Sequence, residues 1–383
     1  MGLKRAAAVA ATTLIGAGAA AVAAGRYAGD AALRTVPGHP PPGEHRLTVH
    51  DVTPGTGAAP GAITLTRAPA TLRPGTYGLA GRGLHAVVGD VVADVSHPHD
   101  CVVRRLERVT HGAPAPGDRV WLTPQTHRGN PRDALGIDHA DVDVPGELGP
   151  LPAWFVPGAR DTWVLAVHGL GTTREHTLTV LPFLHRQRLP VLALAYRGDP
   201  GAPRPSHGIS HFGAREWRDL DAAIRYALRN GARRVVLYGW STGATMALLT
   251  ALRDTGSALS DRVAGVVLDA PLLDWPAALG ALAAHRLPAA LIPLAVRATE
   301  GRTGLAPEGL LTAADPTLLD VPALVVHGTD DPVAPFLHSR ELAARRPELI
   351  TLRTVRGAGH AASWNVDPTG YEEALRRFLI PLM

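Results

Sequence analysis

The sequence predicts an α/β protein with a doubly wound, mostly parallel sheet, preceded by a small β-rich module and an N-terminal hydrophobic segment. From residue 140 onward, short and nearly continuous apolar runs alternate with helix-length amphipathic segments. Such runs are typical of strands that helices cover on both faces, and regular strand-helix alternation implies parallel pairing. Between residues 47 and 122, apolar and polar residues alternate instead in short runs bounded by Gly, Pro and Asp, which indicates β-structure.

Length and composition exclude several classes of protein. The chain has 383 residues, of which 46% are apolar and 19% are charged. At about 100–200 residues per domain, this length suits two or three globular units. The formal net charge is only +4, and no basic run interleaved with aromatic residues occurs, so we expect no nucleic-acid partner. Cys101 is the only cysteine, which excludes an intrachain disulfide and a cysteine zinc site.

Residues 1–29 are predicted to be a signal peptide or a membrane anchor. Lys4 and Arg5 precede an uncharged run over residues 6–25, with small-residue cleavage options at 21–23. Ala and Gly supply most of this run, so a cleaved signal, an uncleaved anchor that holds the protein at a membrane, and an Ala-rich soluble helix all stay open. In the first two cases the positive charges place the rest of the chain outside the cytoplasm, either secreted or membrane-anchored.

Residues 30–46 are predicted to be a linker, since they are too rich in Pro and Gly for regular structure. The β-rich module is expected to cover residues 47–139. Within it, the segment 97–100 (His-Pro-His-Asp) suggests a metal site, but Pro98 prevents a helical pair of ligands and no partner cluster is evident. We therefore interpret the segment as a surface turn and expect no metal.

The parallel sheet is predicted within residues 140–383. Residues 140–144 and 152–156 form an antiparallel pair joined by a turn at 145–147, and six further strands are predicted at 163–167, 191–195, 235–238, 263–268, 323–326 and 349–355. Helices are predicted at 213–230 and 335–346 from their apolar stripes. An Ala- and Leu-rich stretch at about 276–320 interrupts the alternation and is predicted to be a helical cap.

A nucleophilic serine is predicted in the motif Gly239-Trp240-Ser241-Thr242-Gly243. A strand before it and a helix after it are the context of a strained strand-to-helix turn, which places Ser241 at the carboxyl edge of the sheet. The two glycines are expected because a Cβ there would collide with the neighbouring strand and helix. Trp240 and the 276–320 stretch are candidates both for an acyl pocket and for ordinary core packing.

A serine hydroxyl needs a histidine base, and the histidine needs a carboxylate to orient it. Asp331 follows the strand at 323–326, and His360 lies in the loop after the last strand. The order serine, acid, histidine matches this topology. Asp330 is the adjacent alternative for the acid, and Asp269 is the acid of a variant arrangement.

The oxyanion of a tetrahedral intermediate needs backbone N–H donors. Thr242, directly after the serine, offers one N–H group. The strand at 163–167 opens into His168-Gly169-Leu170-Gly171, so Leu170 is the candidate for the second donor. The alternative interpretation of this segment is a tight turn without a role in the chemistry.

Residues from about 140 to 383 resemble the α/β-hydrolase superfamily, in particular its serine aminopeptidase-like and dienelactone-hydrolase-like esterases. The matching residues are His168-Gly169, Tyr196-Arg197-Gly198, the motif at 239–243, the segment 327–333 and Gly359-His360. The family pattern, with the acid three residues after the glycine, favours Asp331 over Asp330.

The motifs and the resemblance predict a serine hydrolase that cleaves carboxylic esters, with Ser241, His360 and Asp331 as catalytic residues. A small-molecule or lipid-like acyl substrate is expected, and no metal or organic cofactor. A peptidase, a lipase and a thioesterase use the same triad and stay open. A further alternative is a non-catalytic, envelope-associated binding protein that keeps a hydrolase fold.

Overall fold

The computed structural model describes residues 23, 27, 40–41, 43–55, 61–93, 95–205, 208–252, 260–284, 288–305 and 318–383. The predicted signal or anchor at residues 1–29 lies outside these residues, apart from Ala23 and Tyr27. None of the helices within the described ranges is both long and apolar enough to cross a membrane.

The N-terminal β-rich module closes into a barrel. Its strands are β1 (Leu47–Thr53), β2 (Gly61–Thr66), β3 (Tyr77–Gly81), β4 (Leu84–Val91), β5 (Cys101–His111) and β6 (Arg119–Thr123), in the spatial order β1-β2-β5-β4-β3-β6, and the short helix α1 (Pro69–Leu72) follows β2. Pairing of β1 with β6 closes the ring. Alternate residues such as Ile63 and Leu65 point into the barrel and are fully buried.

Arg104 on β5 is fully buried although it carries a charge. Its guanidinium donates to the carbonyl oxygens of Gly89 at 2.7 Å, Thr71 at 3.0 Å, Arg73 at 2.8 Å and Gly75 at 2.6 Å. Buried charge is tolerated only where hydrogen bonds compensate for lost hydration. Arg104 therefore fixes the segment 71–75 against the barrel.

The second sheet has eight strands in the order β14-β13-β12-β11-β9-β10-β8-β7. They are β7 (Ala140–Gly146), β8 (Gly149–Val156), β9 (Thr162–Val167), β10 (Val191–Leu194), β11 (Arg234–Trp240), β12 (Val263–Asp269), β13 (Ala323–Gly328) and β14 (Ile350–Val355). β7 and β8 pair antiparallel, β8 pairs antiparallel with β10, and the other neighbours are parallel. The predicted mostly parallel sheet is confirmed. The predicted turn at 145–147 is wrong, because β7 continues to Gly146 and the turn is Glu147-Leu148.

Helices cover both faces of this sheet. They are α2 (Pro131–Leu135), α3 (Leu181–Arg186), α4 (Trp217–Arg229), α5 (Thr242–Ala251), α6 (Trp275–Ala284), α7 (Ile292–Thr303), α8 (Phe336–Arg345), α9 (Ser363–Val366) and α10 (Pro368–Leu379), with 3₁₀ turns at Arg174–Thr179, Ser260–Arg262, Ala289–Leu291 and Ile380–Leu382. Consecutive residues of one strand point to opposite faces of the sheet. Leu237 packs with α4 and α5 on one face, whereas Val236 packs with α3 and α10 on the other. This double burial explains the continuous apolar runs of the sequence.

The segment between β12 and β13 is helical in its described part, where it forms α6 and α7. Trp275 and Leu279 of α6 are fully buried, and they pack in one cluster with Leu170, Phe212 and Val333. This insertion therefore lies beside the carboxyl edge of the sheet.

Candidate active site

Ser241 occupies a sharp turn between β11 and α5. Its backbone has φ of 53° and ψ of −118°, a conformation that side chains rarely adopt. A Cβ on Gly239 would lie 2.2 Å from the carbonyl carbon of Gly243, and a Cβ on Gly243 would lie 2.1 Å from the carbonyl oxygen of Val167. Only glycine fits at either position, in agreement with the steric reason given for the motif.

The structure brings Ser241, His360 and Asp331 together in one hydrogen-bonded chain. His360 Nε2 lies 2.7 Å from Ser241 Oγ, and His360 Nδ1 lies 2.8 Å from Asp331 Oδ2. The three residues follow β11, β14 and β13, whose carboxyl ends share one edge of the sheet. A proton on Nδ1 is then donated to the carboxylate, which leaves Nε2 free to accept the serine proton.

The Asp331 side chain is fully buried, and both of its carboxylate oxygens accept hydrogen bonds. Oδ1 accepts from the backbone N–H groups of Val333 and Ala334, both at 2.8 Å. Burial acts to raise the pKa of Asp331, but the charge of His360 and hydrogen bonds from His327 and His360 outweigh it and hold the pKa well below its usual range. Asp331 therefore stays ionised beside the histidine.

Asp330 lies next to Asp331 but points away from the histidine. Its side chain is exposed and accepts a hydrogen bond from the Thr329 hydroxyl at 2.7 Å. The geometry therefore separates the two candidates for the acid, and only Asp331 contacts His360.

Asp269, the acid of the variant arrangement, has other partners. Its carboxylate accepts from the Tyr371 hydroxyl at 2.9 Å and from the Ser363 hydroxyl at 3.2 Å. Burial raises the pKa of Asp269 to about 6, against the opposing effect of these hydrogen bonds. Its backbone carbonyl accepts from the Ser241 N–H at 2.8 Å, so Asp269 supports the turn through its main chain.

Sequence reasoning missed a second histidine in contact with the carboxylate of Asp331. His327 Nε2 lies 3.2 Å from Asp331 Oδ2 and 3.1 Å from the carbonyl oxygen of Ala334. Its Nδ1 lies 2.7 Å from the Ser339 hydroxyl. His327 stands in the segment quoted for the family resemblance, but the contact with Asp331 arises from the turn after β13, which spacing alone does not specify.

The two candidate oxyanion donors flank the serine. Thr242 begins α5, and Leu170 lies in the turn after β9 that faces Ser241. A Cβ on Gly169 would lie 2.7 Å from the Ser241 Cβ, so this turn approaches the serine closely. His168 supports the turn, with Nδ1 2.9 Å from the Gly169 carbonyl oxygen.

A narrow cleft of about 420 Å³, counted with its open mouth, leads to Ser241. One side comes from the domain of the eight-stranded sheet and consists of Gly169, Leu170, Thr172, Ser241, His360, Ala361 and Ala362. The other side comes from the barrel and the segment before it and consists of Pro41, Glu44, Tyr77, Leu122, Thr123 and Pro124. Both parts of the chain therefore form the cleft.

Other candidate residues lie outside this cleft. Trp240 is buried and its ring stacks on His176 and Tyr238, so it belongs to the core. The described residues of the 276–320 segment do not line the cleft either. The segment 97–100 is mostly exposed, and no cluster of metal-ligating side chains occurs among the residues that the structure describes.

Comparisons with known proteins found matches for both parts of the chain. Residues 48–123 match the profile of a domain of unknown function (DUF8805). An esterase of Pyrococcus furiosus, Pf2001, has a similar structure with a TM-score of 0.52 and 20% identity, covering 66% of this chain and 95% of the esterase. An esterase of Pyrobaculum calidifontis aligns with a TM-score of 0.47 and 20% identity over 64% of this chain and 84% of its own. No protein of curated function matches the sequence.

A family match covers most of the second domain. The profile of the alpha/beta hydrolase family matches residues 164–374, more than half of the chain. This range holds the turn at Ser241, the carboxylate of Asp331 and the ring of His360. The chain therefore belongs to the α/β-hydrolase family.

Proposed function

We propose that this protein is a serine hydrolase that cleaves carboxylic esters through an acyl-enzyme intermediate. The unbroken hydrogen-bonded chain from Ser241 through His360 to Asp331, at 2.7 and 2.8 Å, carries this proposal. This series of hydrogen bonds ends at Ser241, which lines a mostly apolar cleft, as an acyl group requires. An esterase activity is also the one named for the Pyrococcus furiosus protein of similar fold.

The geometry supports a two-step reaction. His360 Nε2 takes the proton of Ser241 Oγ as the oxygen attacks the ester carbonyl carbon. The backbone N–H groups of Thr242 and Leu170 bind the oxyanion. His360 then gives its proton to the leaving alcohol, and a water molecule repeats the sequence on the acyl-enzyme to release the acid.

Asp331 and the α5 helix stabilise the charges that form in this reaction. The ionised Asp331 carboxylate, fixed by the N–H groups of Val333 and Ala334, stabilises the imidazolium of His360. Ser241 precedes the N-terminus of α5, where the helix dipole favours negative charge. In this arrangement proton transfer to His360 activates the serine, so the reaction does not need a metal ion.

Trapping of the intermediate tests the proposal. The full chain is mixed with p-nitrophenyl acetate, quenched and digested, and mass spectrometry locates the acetyl group. We expect an acetylated Ser241 peptide and a burst of p-nitrophenol. Turnover that persists in Ser241→Ala would contradict the proposal, and a folded protein with neither burst nor adduct would favour the non-catalytic binding protein.

A substrate panel separates the remaining alternatives. Matched p-nitrophenyl esters, a thioester and a peptide p-nitroanilide are compared by kcat/KM. We expect turnover of the esters and none of the anilide, because an amide needs more activation of its leaving group and a peptidase would cleave both. Cleavage of the anilide would make the protein a peptidase that uses the same three residues.

A further inference from the structure

The wall opposite the catalytic serine comes from the barrel, a part of the chain outside the hydrolase domain. Tyr77 of β3 and Leu122 of β6 line the cleft, together with Glu44 from the segment that precedes β1. A substrate bound for attack by Ser241 therefore lies against the barrel. Residues of this wall are in a position to select the substrate.

Hydrogen bonds fix this wall to the loop that carries His360. Asn365 of α9 donates from Nδ2 to the carbonyl oxygens of Thr76 at 2.8 Å and Pro124 at 3.1 Å. The Thr76 N–H donates in return to the carbonyl oxygen of Asn365 at 2.9 Å. Thr76 adjoins the wall residue Tyr77, and Pro124 is itself part of the wall, so the wall keeps a defined distance from the histidine.

Two polar atoms of the wall are buried without a partner. Glu44 Oε1 pairs with the Arg73 guanidinium, whereas Glu44 Oε2 has no hydrogen-bond partner among the described residues. The Tyr77 hydroxyl likewise has none within the described part of the chain. The Glu44 side chain is only 10% exposed and Tyr77 only 2%. Buried polar groups are usually paired, and both of these residues line the cleft, so the two atoms are in a position to bind a polar group of a ligand there.

The chemistry of the two atoms defines the ligand. Arg73 already neutralises Glu44, so the wall carries no net charge for an ammonium group. Burial raises the pKa of Tyr77 to about 12, which keeps its hydroxyl protonated as a donor. A hydroxyl group both donates to the carboxylate and accepts from the tyrosine, whereas an ammonium group only donates.

We propose that Glu44 and Tyr77 form a hydroxyl-binding subsite that selects esters with a hydroxyl group near the scissile bond. This inference rests on the function proposed above, because it concerns the substrate of the same serine. The substrate hydroxyl donates to Glu44 Oε2 and accepts from the Tyr77 hydroxyl. The hydroxyl belongs either to the acyl part or to the alcohol part of the ester. The apolar remainder of the cleft contacts the rest of the substrate.

Matched ester pairs test the subsite in the full-length protein. One pair, p-nitrophenyl hydroxybutyrate and p-nitrophenyl butyrate, places the hydroxyl on the acyl part. The other pair, the glycerol and propyl monoesters of butyric acid, places it on the alcohol part. In at least one pair, we expect wild-type kcat/KM to favour the hydroxylated ester by about 10- to 100-fold, as expected when buried polar groups gain a partner.

Two conservative variants each change one polar group of the subsite. Tyr77→Phe deletes the hydroxyl, and Glu44→Gln replaces Oε2 or reorients the group. We expect each to lower the preference for the hydroxylated ester by about tenfold. Glu300→Gln, a half-buried glutamate of α7 that also pairs with an arginine, and Tyr226→Phe on α4 lie outside the cleft and are matched controls that should keep the wild-type preference.

The outcomes separate this inference from the proposed function. Acetylation of Ser241 is measured in the same samples by mass spectrometry, and melting temperatures report whether each variant folds. A wild-type protein that acylates but shows no preference in either pair would overturn the subsite alone. An unchanged preference in both folded variants would do the same. If Ser241 is not acylated at all, the proposed function fails first and the subsite with it.

Discussion

At the scale of single residues, the proposed triad depends on the surroundings of one carboxylate. Asp331 accepts two backbone N–H bonds and contacts two histidines, whereas its neighbour Asp330 faces solvent. The sequence alone left both open, since adjacent residues in a turn differ only in the direction of their side chains. The family pattern favoured Asp331, and the side-chain geometry agrees.

The two aspartates form a matched pair for mutation. We expect Asp331→Asn to lower kcat for p-nitrophenyl acetate by about 10⁴-fold, because the amide no longer stabilises the imidazolium of His360. Asp330→Asn should change kcat less than about twofold, as is usual for an exposed residue outside the reacting groups. Steady-state rates of the two purified variants decide the assignment, and a larger loss in Asp330→Asn would reverse it.

The raised pKa of Asp269 predicts that the stability of the protein depends on pH. Its pKa of about 6 exceeds the ordinary value for aspartate, so the folded protein binds this proton more tightly than the unfolded chain. Its contribution to the free energy of unfolding is therefore greatest at low pH and falls as pH rises through about 6.

Urea unfolding of wild type and Asp269→Asn measures this contribution. The difference in unfolding free energy, wild type minus variant, should fall by about 2 kcal/mol between pH 4 and pH 7. The subtraction removes the groups that titrate in both proteins. A difference that stays constant over this range would show that Asp269 has an ordinary pKa.

At the scale of secondary structure, the turn between β11 and α5 requires its two glycines. The sequence predicted the strand, the serine and the helix, because each has a local pattern. Strand ends were less predictable: β11 extends two residues beyond the predicted 235–238, to Trp240, because its pairing with β12 continues to that residue. Pairing across the sheet, and not local sequence, determines where a strand ends.

Substitution of one turn glycine tests the steric argument. We expect Gly243→Ala to destabilise the protein by more than about 3 kcal/mol, since its Cβ would lie 2.1 Å from the Val167 carbonyl oxygen. Gly301→Ala is the control, because nothing lies within 4 Å of a Cβ at this helical position. Alanine there should stabilise α7 by about 1 kcal/mol. Denaturant unfolding measures both, and equal effects would refute the steric argument.

At the scale of the whole molecule, the barrel and the hydrolase domain share the cleft. The sequence indicated the β-rich module but not its closure into a barrel, since β1 and β6 pair over a long separation that alternation does not encode. Nor did it indicate the buried Arg104, whose carbonyl partners in the segment 71–75 and at Gly89 lie far from it in sequence. The export signal or anchor at residues 1–29 stays a prediction.

Asn365 connects the two domains. We therefore expect the stability of the protein and its ester turnover to depend together on this contact. Asn365→Ala leaves two carbonyl oxygens of the barrel without their donor, so we expect a loss of about 2–4 kcal/mol of stability and a parallel loss of ester turnover. Asn230→Ala, which removes a bond to the Tyr226 carbonyl at the end of α4, should have less than about 1 kcal/mol of effect. Urea unfolding and kcat are compared, and unchanged turnover in a destabilised Asn365→Ala protein would argue against coupling.

Labelling with a fluorophosphonate probe tests the central assignment most directly, because the probe reacts only with an activated serine. The full chain is compared with Ser241→Ala and His360→Gln, and circular dichroism verifies that all three fold. We predict stoichiometric labelling of the wild type at Ser241, none in Ser241→Ala and strongly slowed labelling in His360→Gln. Labelling that persists in Ser241→Ala, or a folded wild-type protein that does not react, would contradict the account.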